Sequence, residues 1–458
     1  MSVPELDYSN VIADVLGPGG IDSARLEGDL ADRFAAAHES VEVRRAAGDM
    51  GFFDLPNDDA TATTVQEIAD GFGQWFENVV VLGIGGSSLG GITLRDALLG
   101  PGWNERSDES RSFFPRLYVL ENPDPDTARG LLDRLDLRRT LFNVVSKSGT
   151  TAETMALYLV VRGRLLEVVD EDKIHGHFIF TTDPERGVLR SLAARDGVPT
   201  LSIPPNVGGR FSVLSPVGLF PAAITGTPVD EMLLGARRVL DRCTGSELRE
   251  NPAGLLATLL HTLDTECGRS IHVLMPYSDR LRSLTLWYQQ LWAESLGKLR
   301  EGESVGPTPL PAVGATDQHA QVQLFMEGPQ DKAVIFLSVD PGEDVEIPSL
   351  HPDVDAVSYL GGSTLGRLLD AERRATTEAL RRRGRPSMTL HLGPVTPNSL
   401  GGLLMLFQVA TVYAGSLYGV DPLDQPGVEL GKVLTYGLMG RTGYEPPELP
   451  DPDPRWRV

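Results

Sequence analysis

The chain has 458 residues, of which 41% are hydrophobic and 23% charged, and its formal net charge is -22. This length exceeds one ordinary hydrophobic core, so we expect two or three domains. The negative charge argues against nucleic acid or an anionic membrane as a partner. The N-terminus is polar and acidic, and no apolar run reaches membrane-spanning length, which predicts a cytoplasmic protein whose two cysteines, Cys243 and Cys267, are free thiols.

The predicted elements alternate between strands and helices along the chain. Residues 1–60 form a helical N-terminal extension, because apolar residues between Asp22 and Val43 have helical spacing. A buried strand is predicted at 79–82, further strands at 117–120, 142–145, 177–181 and 200–203, and a second set at 271–275, 333–339, 356–360 and 389–392. Strands that alternate with helices predict an α/β fold with mainly parallel sheets.

A faint internal repeat divides the chain into two similar halves. Residues 191–203 and 379–391 both contain a helix end, a glycine cap, a proline and a strand. We therefore predict an extension at 1–60, a first domain at 61–245, a second at 246–415 and a C-terminal segment at 416–458. The Gly- and Pro-rich segment 301–315 is predicted to be a loop, and the tail after Gly440 to be irregular.

Residues 146–151, which we call the phosphate loop, carry three kinds of anion-binding group. The segment reads SKSGTT between an apolar strand and a helical pattern. Its hydroxyls, its lysine and the free N–H groups of a helix N-terminus suit a phosphate. The alternative is an ordinary cap cluster with a solvated lysine. The chain has only five lysines, and three of them, Lys147, Lys298 and Lys432, lie in its most motif-like segments.

Residues 83–91, which we call the glycine turn, follow a buried strand and read GIGGSSLGG. The dinucleotide pattern fits poorly, because Ser88 occupies its last glycine position and the acidic residue expected downstream is missing. Backbone glycines beside two serines suit a sugar hydroxyl or a phosphate better, and a tight strand-to-helix turn remains the alternative.

Taken together, six segments resemble the glucose-6-phosphate isomerase family in its shorter bacterial form. In the family's order they are 83–91 (GIGGSSLGG), 146–153 (SKSGTTAE), 207–212 (VGGRFS), 290–298 (QLWAESLGK), 314–321 (GATDQHAQ) and 424–432 (DQPGVELGK). The resemblance implies two sugar-isomerase (SIS) domains, at 61–245 and 246–415. It also implies a homodimer, a phosphosugar substrate, a role in glycolysis and gluconeogenesis, and neither metal nor organic cofactor.

The resemblance also assigns the catalytic roles. Aldose–ketose isomerisation moves a proton between C2 and C1 through a cis-enediol, so one carboxylate serves as the base, and Glu294 matches it. Arg210 matches the fixed cation that stabilises the enediolate charge. His319 and Lys432 match the pair that opens the sugar ring, and His319 is expected to come from the partner subunit. The implied substrate-binding residues are Gly86, Ser87, Ser146, Lys147, Ser148, Thr151, Glu153, Gly209, Gln290 and Gln425.

Three alternatives stay open at this point. An isomerase that also acts on mannose 6-phosphate would keep the phosphate loop. A noncatalytic phosphosugar-binding regulator would keep the loop but need not carry Glu294, His319 and Lys432 together. A fusion to a transaldolase, known in some family members, would need a longer chain.

Overall fold

The computed structural model describes residues 3–73 and 75–457. Strands β1–β12 span Glu5–Asp7, Asn78–Leu82, Arg116–Leu120, Thr140–Val145, Phe178–Thr182, Thr200–Ser202, Ile271–Pro276, Lys298–Arg300, Glu303–Val305, Thr308–Pro311, Lys332–Asp340 and Ser387–Pro394. Helices α1–α16 span Ala13–Leu16, Asp29–Ala46, Asp59–Gly73, Leu89–Leu94, Pro125–Arg134, Ala152–Leu166, Val188–Asp196, Pro216–Ile224, Val229–Arg242, Pro252–Thr265, Arg282–Leu296, Val322–Glu327, Asp355–Ser358, Leu365–Arg382, Pro397–Tyr418 and Glu429–Leu438.

The first sheet is parallel throughout, in the order β3-β2-β4-β5-β6. Every residue of β2, β4 and β5 is buried, which explains why apolar residues predominate in these strands and do not alternate with polar ones. In register, Leu82 lies opposite Val144, so the glycine turn and the phosphate loop leave the same edge of the sheet side by side.

The second sheet has the order β1-β12-β11-β7-β10, with β1 antiparallel and the other strands parallel. The predicted α/β class, with mainly parallel sheets flanked by helices, is confirmed. The N-terminal extension is not entirely helical, because β1 pairs with β12 and so joins the second sheet. The domain boundaries stay predictions.

The strand predicted at 356–360 is wrong. This segment contains the short helix α13, and the side chains of Val357 and Tyr359 are 41% and 74% exposed. A short apolar run predicts a buried strand only where a neighbouring strand can cover it. The reverse error occurs at 301–315, predicted to be a loop, where Thr308–Pro311 forms β10 beside β7.

Helix α15 forms the centre of the core. Thr396 and Ser399 make a capping box at its N-terminus, and its side chains are buried along almost the whole length. By length and composition α15 could cross a membrane, contrary to the expectation that no apolar run is long enough, but 89% of its most apolar window is buried inside the molecule. It packs against α2, α9, α10 and α11, as the core helix of a folded protein does.

Candidate active site

Two tight turns from distant parts of the sequence meet at the edge of the first sheet. One is the glycine turn after β2, and the other is the 207–212 turn, which we call the arginine turn. A Cβ on Gly86 would lie 2.3 Å from the carbonyl carbon of Gly209, so only glycine permits this approach. The Ser212 hydroxyl donates to the carbonyls of Gly209 (2.7 Å) and Gly86 (3.3 Å), which ties the two turns together.

The phosphate loop is closed by its own hydroxyls. The hydroxyls of Ser146 and Thr151 lie 2.9 Å apart, and the Gly149 N–H donates to Ser146 Oγ at 3.1 Å. Thr151 is the N-cap residue of α6 but makes no side-chain capping bond, which leaves the first N–H groups of this 15-residue helix free for an anion. Gly149 has φ 65°, a conformation that favours glycine, and a Cβ there would lie 2.6 Å from the Leu189 nitrogen.

The Lys147 ammonium does not point freely into this loop. It donates to the carbonyls of Pro205 (2.6 Å) and Val207 (2.9 Å), and burial lowers its pKa. Lys147 therefore connects the phosphate loop to the start of the arginine turn, with one N–H left for a ligand.

Helix α11 brings two of the predicted residues together. Gln290 and Glu294 lie one turn apart, and Gln290 Nε2 donates to Glu294 Oε2 at 3.2 Å. The Glu294 side chain is 26% exposed on a helix whose other faces are largely buried. Gln290 Oε1 is buried without a hydrogen-bond partner among the described residues, and Nε2 lies 2.9 Å from where a Cβ of Gly85 would be. These groups leave unmet hydrogen-bonding capacity beside the glycine turn.

Arg210 lies at the centre of the cluster, with only 3% of its side chain exposed. Its Nε donates to Ser295 Oγ (2.7 Å) and its Nη1 to Gln425 Oε1 (2.8 Å). Its Nη2 donates to the carbonyls of Pro422 (2.5 Å) and Asp424 (2.8 Å). Burial lowers the pKa of Arg210, but an arginine stays charged in a protein.

Arg210 and Glu294 face each other across this cluster. Arg210 Nη1 lies 3.7 Å from Glu294 Oε2, longer than a hydrogen bond but close enough for a strong attraction in a half-buried site. The pairing sets a fixed cation beside a partly exposed carboxylate that has no other basic neighbour within salt-bridge distance among the described residues.

Two residues that sequence reasoning did not assign also belong here. Ser295 is buried and orients Arg210, and its place directly after Glu294 in the 290–298 segment is the only signal that the sequence offers. Lys298, whose role the motif left open, donates to the carbonyls of Glu294 (2.9 Å) and Asp424 (2.8 Å).

Three predicted residues lie apart from the cluster within the described chain. His319 is exposed at the end of a 3₁₀ turn and makes no hydrogen bond there. Lys432, on α16, is 48% exposed and pairs with Glu429 of its own helix at 2.7 Å. Glu153 lies half-buried in the first turn of α6, beside the phosphate loop. The chain by itself thus assembles Gly86, Gly209, Arg210, Gln290, Glu294 and Gln425, but not the predicted ring-opening pair.

Comparison with known proteins adds independent information. The sequence profile of the phosphoglucose isomerase family matches residues 63–442. The chain is 43% identical over 447 residues to a glucose-6-phosphate isomerase of Carboxydothermus hydrogenoformans, with 96% of each chain covered. It is 45% identical over 412 residues to one of Rubrobacter xylanophilus, covering 88% of this chain and 94% of the relative.

Solved structures agree with the sequence relatives. A hypothetical protein from Thermus thermophilus superposes with a TM-score of 0.85 at 39% identity, covering 95% of this chain and 99% of that one. A glucose-6-phosphate isomerase from Chlamydia trachomatis superposes with a TM-score of 0.72 at 26% identity, covering 83% and 73%. The profile match over most of the chain, together with these relatives, establishes that the chain belongs to the phosphoglucose isomerase family.

Proposed function

We propose that this chain interconverts glucose 6-phosphate and fructose 6-phosphate with Glu294 as the single base. Family membership carries the reaction class, so the protein is an aldose–ketose isomerase that acts in glycolysis and in gluconeogenesis. The roles of individual residues, the dimer and a cytoplasmic location are our proposals. The observation that carries the residue roles is the cluster in which Glu294, its neighbour Gln290 and the Arg210 guanidinium converge.

In the proposed reaction, Glu294 removes the proton from C2 of the open-chain aldose and returns it to C1. The electron pair released at C2 forms the C1–C2 double bond of the enediol, and the C1 carbonyl oxygen gains negative charge and then a proton. The C2 hydroxyl then gives up its proton and becomes the ketose carbonyl while C1 takes the proton from Glu294, so no proton is gained or lost overall. Arg210 stabilises that charge without quenching the base, since its guanidinium does not exchange protons near neutral pH. Gln290, with an unpartnered buried Oε1, is suited to accept a hydrogen bond from a sugar hydroxyl.

The phosphate group binds away from the reacting carbons. We assign it to Ser146, Ser148 and Thr151, the uncapped N–H groups of α6 and the remaining N–H of Lys147. Binding energy from this distant group holds C1 and C2 near Glu294, which is how a nonreacting part of a substrate contributes to rate. Gly86, Ser87, Gly209 and Gln425 line the sugar end in this proposal, beside the carboxylate of Glu153 at the phosphate loop.

Ring opening needs a second subunit in this proposal. His319 is exposed and has no hydrogen-bond partner in the described chain, which supports a role in the site of a partner rather than in its own. Lys432 follows Gln425 by seven residues, and Gln425 is held by Arg210, so α16 begins at the edge of the cluster. We propose that His319 from the partner and Lys432 exchange protons with the ring oxygen and the C1 hydroxyl.

The deciding experiment measures conversion of fructose 6-phosphate to glucose 6-phosphate by the parent, by Glu294→Gln and by Glu171→Gln. Glu171 is the control, because it is exposed and distant from Glu294 in the sequence. All assays contain chelator. Loss of a positioned base costs roughly 100- to 10,000-fold in kcat, while the control keeps parent activity. Undiminished activity in Glu294→Gln would refute this base. An inactive parent that still binds the phosphosugar would favour a regulator, and mannose 6-phosphate tested in the same assay measures substrate range.

A further inference from the structure

Lys298 joins two segments that both carry predicted site residues. Its ammonium donates to the carbonyls of Glu294 (2.9 Å) and Ser295 (3.3 Å), in the last turn of α11. It also donates to the Asp424 carbonyl (2.8 Å), and the Asp424 carboxylate lies 3.2 Å away. An ammonium has three N–H donors, so these four acceptors use all of them.

Burying the ammonium of Lys298 costs free energy, which its hydrogen bonds must offset. Only 8% of the Lys298 side chain is exposed, and burial lowers its pKa. Burying an ammonium is unfavourable unless its hydrogen bonds are replaced, and here backbone oxygens replace them. Capping of helix carbonyls would explain only the two contacts to α11, whereas the contacts to Asp424 reach across to another segment.

The Asp424 carbonyl is the point where two cations meet. Arg210 Nη2 donates to it at 2.8 Å, as Lys298 Nζ does, and Arg210 also holds the side chain of the next residue, Gln425. One carbonyl oxygen therefore connects helix α11, which carries Glu294, to the arginine turn and to the start of the C-terminal segment. A shift of Lys298 would move Glu294 relative to both Arg210 and Gln425.

We propose that Lys298 is a positioning residue that fixes Glu294 at its distance from Arg210 and Gln425. The proposal rests on the proposed function, because it assigns Lys298 to the geometry of that reaction. We call the contacts of Lys298 with Glu294, Ser295 and Asp424 the clamp. A displacement of about 1 Å in a catalytic group is enough to cost roughly 100-fold in rate, so loss of the clamp should lower kcat more than substrate affinity. The phosphate loop shares no contact with Lys298 among the described residues, so phosphate binding does not depend on it.

Two substitutions separate the clamp from simple helix capping. Lys298→Gln keeps a donor for the α11 carbonyls, but its side chain is one bond shorter and does not reach Asp424 as well. Lys298→Arg keeps the charge and enough length to reach both segments. Lys173→Gln is the matched control, since Lys173 is exposed and, among the described residues, forms a salt bridge only with the neighbouring surface residue Asp170.

The measurements are kcat and KM for fructose 6-phosphate, the inhibition constant of inorganic phosphate, and Tm. We expect Lys298→Gln to lose roughly 10- to 100-fold in kcat, with the phosphate inhibition constant within about twofold of the parent value and with most of the loss recovered in Lys298→Arg. A kcat of Lys298→Gln within threefold of the parent would overturn the proposal, and so would kcat and phosphate affinity falling together.

The clamp also has a readout that needs no catalysis. Without the contact from Lys298, only Arg210 holds Asp424 and the segment that leads into α16 is held less firmly, so trypsin should cleave after Lys432 faster in Lys298→Gln than in the parent. Equal cleavage rates would overturn the clamp even if the parent proved inactive. If the parent is inactive but cleavage is faster in the variant, the proposed function is refuted, while the role of Lys298 in holding the Asp424 segment is supported.

Discussion

At the scale of single residues, the site depends on close approaches that only particular side chains permit. The sequence predicted Gln290 and Glu294 on one helix face, because a spacing of four residues is a local property of a helix. It did not predict that the Lys147 ammonium is bound by two carbonyls, or that Ser295 and Lys298 serve the cluster. Those contacts join residues that are 58 to 126 positions apart, and local patterns contain no information about such pairs.

The contact between Gly86 and Gly209 gives a steric prediction. In Gly86→Ala the new methyl group lies 2.3 Å from the Gly209 carbonyl and 2.7 Å from the Arg210 nitrogen, so the arginine turn must move. We expect a loss of about 1–3 kcal/mol in the free energy of unfolding and a fall in kcat/KM of more than about tenfold. Gly71→Ala, in the last turn of α3 with nothing within 4 Å of the new Cβ, is the control. Equal behaviour of the two variants in urea unfolding and in activity assays would contradict this geometry.

The guanidinium of Arg210 gives a prediction about chemistry rather than space. Arg210→Lys keeps the charge, but an ammonium cannot reach Ser295, Gln425 and the two carbonyls of the 422–424 segment together. We expect kcat to fall by roughly 100- to 1,000-fold, because the charge is no longer fixed where the enediolate forms. Steady-state kinetics beside the exposed Arg455→Lys variant test this, and a kcat near the parent value would show that charge alone suffices.

At the scale of elements, burial rather than residue type separates the successful predictions from the wrong ones. The strands β2, β4 and β5 are fully buried, and the sequence predicted all three, because strands covered on both faces are rich in apolar residues that do not alternate with polar ones. The segment 356–360 is also mostly apolar, but Val357 and Tyr359 are exposed, and its first three residues belong to α13. The sequence did not predict β10, because two of its four residues are proline. Proline is tolerated there because β10 lies at the edge of the sheet.

His261, on helix α10, should make the free energy of unfolding depend on pH. Burial, together with the smaller effect of the nearby Arg33 and Arg300, lowers the pKa of His261 to about 4. Its ring packs edge-on against Tyr418, with 4.6 Å between ring centroids. In the unfolded chain the pKa is the ordinary value of 6.5, so between pH 6.5 and 4 only the unfolded state takes up the proton.

The free energy of unfolding should therefore fall as the pH drops from 6.5 to 4 and should lose no more from this group below that range. The contribution of His261 is about 3–4 kcal/mol, since one pKa unit corresponds to about 1.4 kcal/mol. Urea unfolding of His261→Phe across this range should show a shallower pH dependence than the parent, and His175→Phe, at an exposed histidine, should match the parent. Parallel curves for the parent and His261→Phe would mean that His261 is charged in the folded protein.

At the scale of the whole molecule, the C-terminal segment is held by Arg210 and Lys298 as far as Gln425, and helix α16 beyond it is mostly exposed. Helix α16 is exposed along almost its whole length, and Leu430 and Met439 are 69% and 80% exposed. His319, earlier in the chain than this segment, is exposed as well. A monomer leaves these apolar side chains and the proposed catalytic His319 in solvent, whereas the proposed homodimer would cover them. The homodimer was expected only from the family resemblance, because the residue pattern of one chain does not indicate that a second copy binds.

Mixed dimers test whether His319 acts across the interface. Glu294→Gln and His319→Gln are each expected to be nearly inactive alone. In a dimer that contains one chain of each kind, a site built from Glu294 of one subunit and His319 of the other is complete once, and the second site carries both substitutions. Random reassociation after unfolding makes half of the dimers mixed, so activity should return to about a quarter of the parent value. If His319 served its own subunit, every site in the mixture would carry one substitution, and refolding the two variants together would restore nothing beyond the sum of the separate proteins.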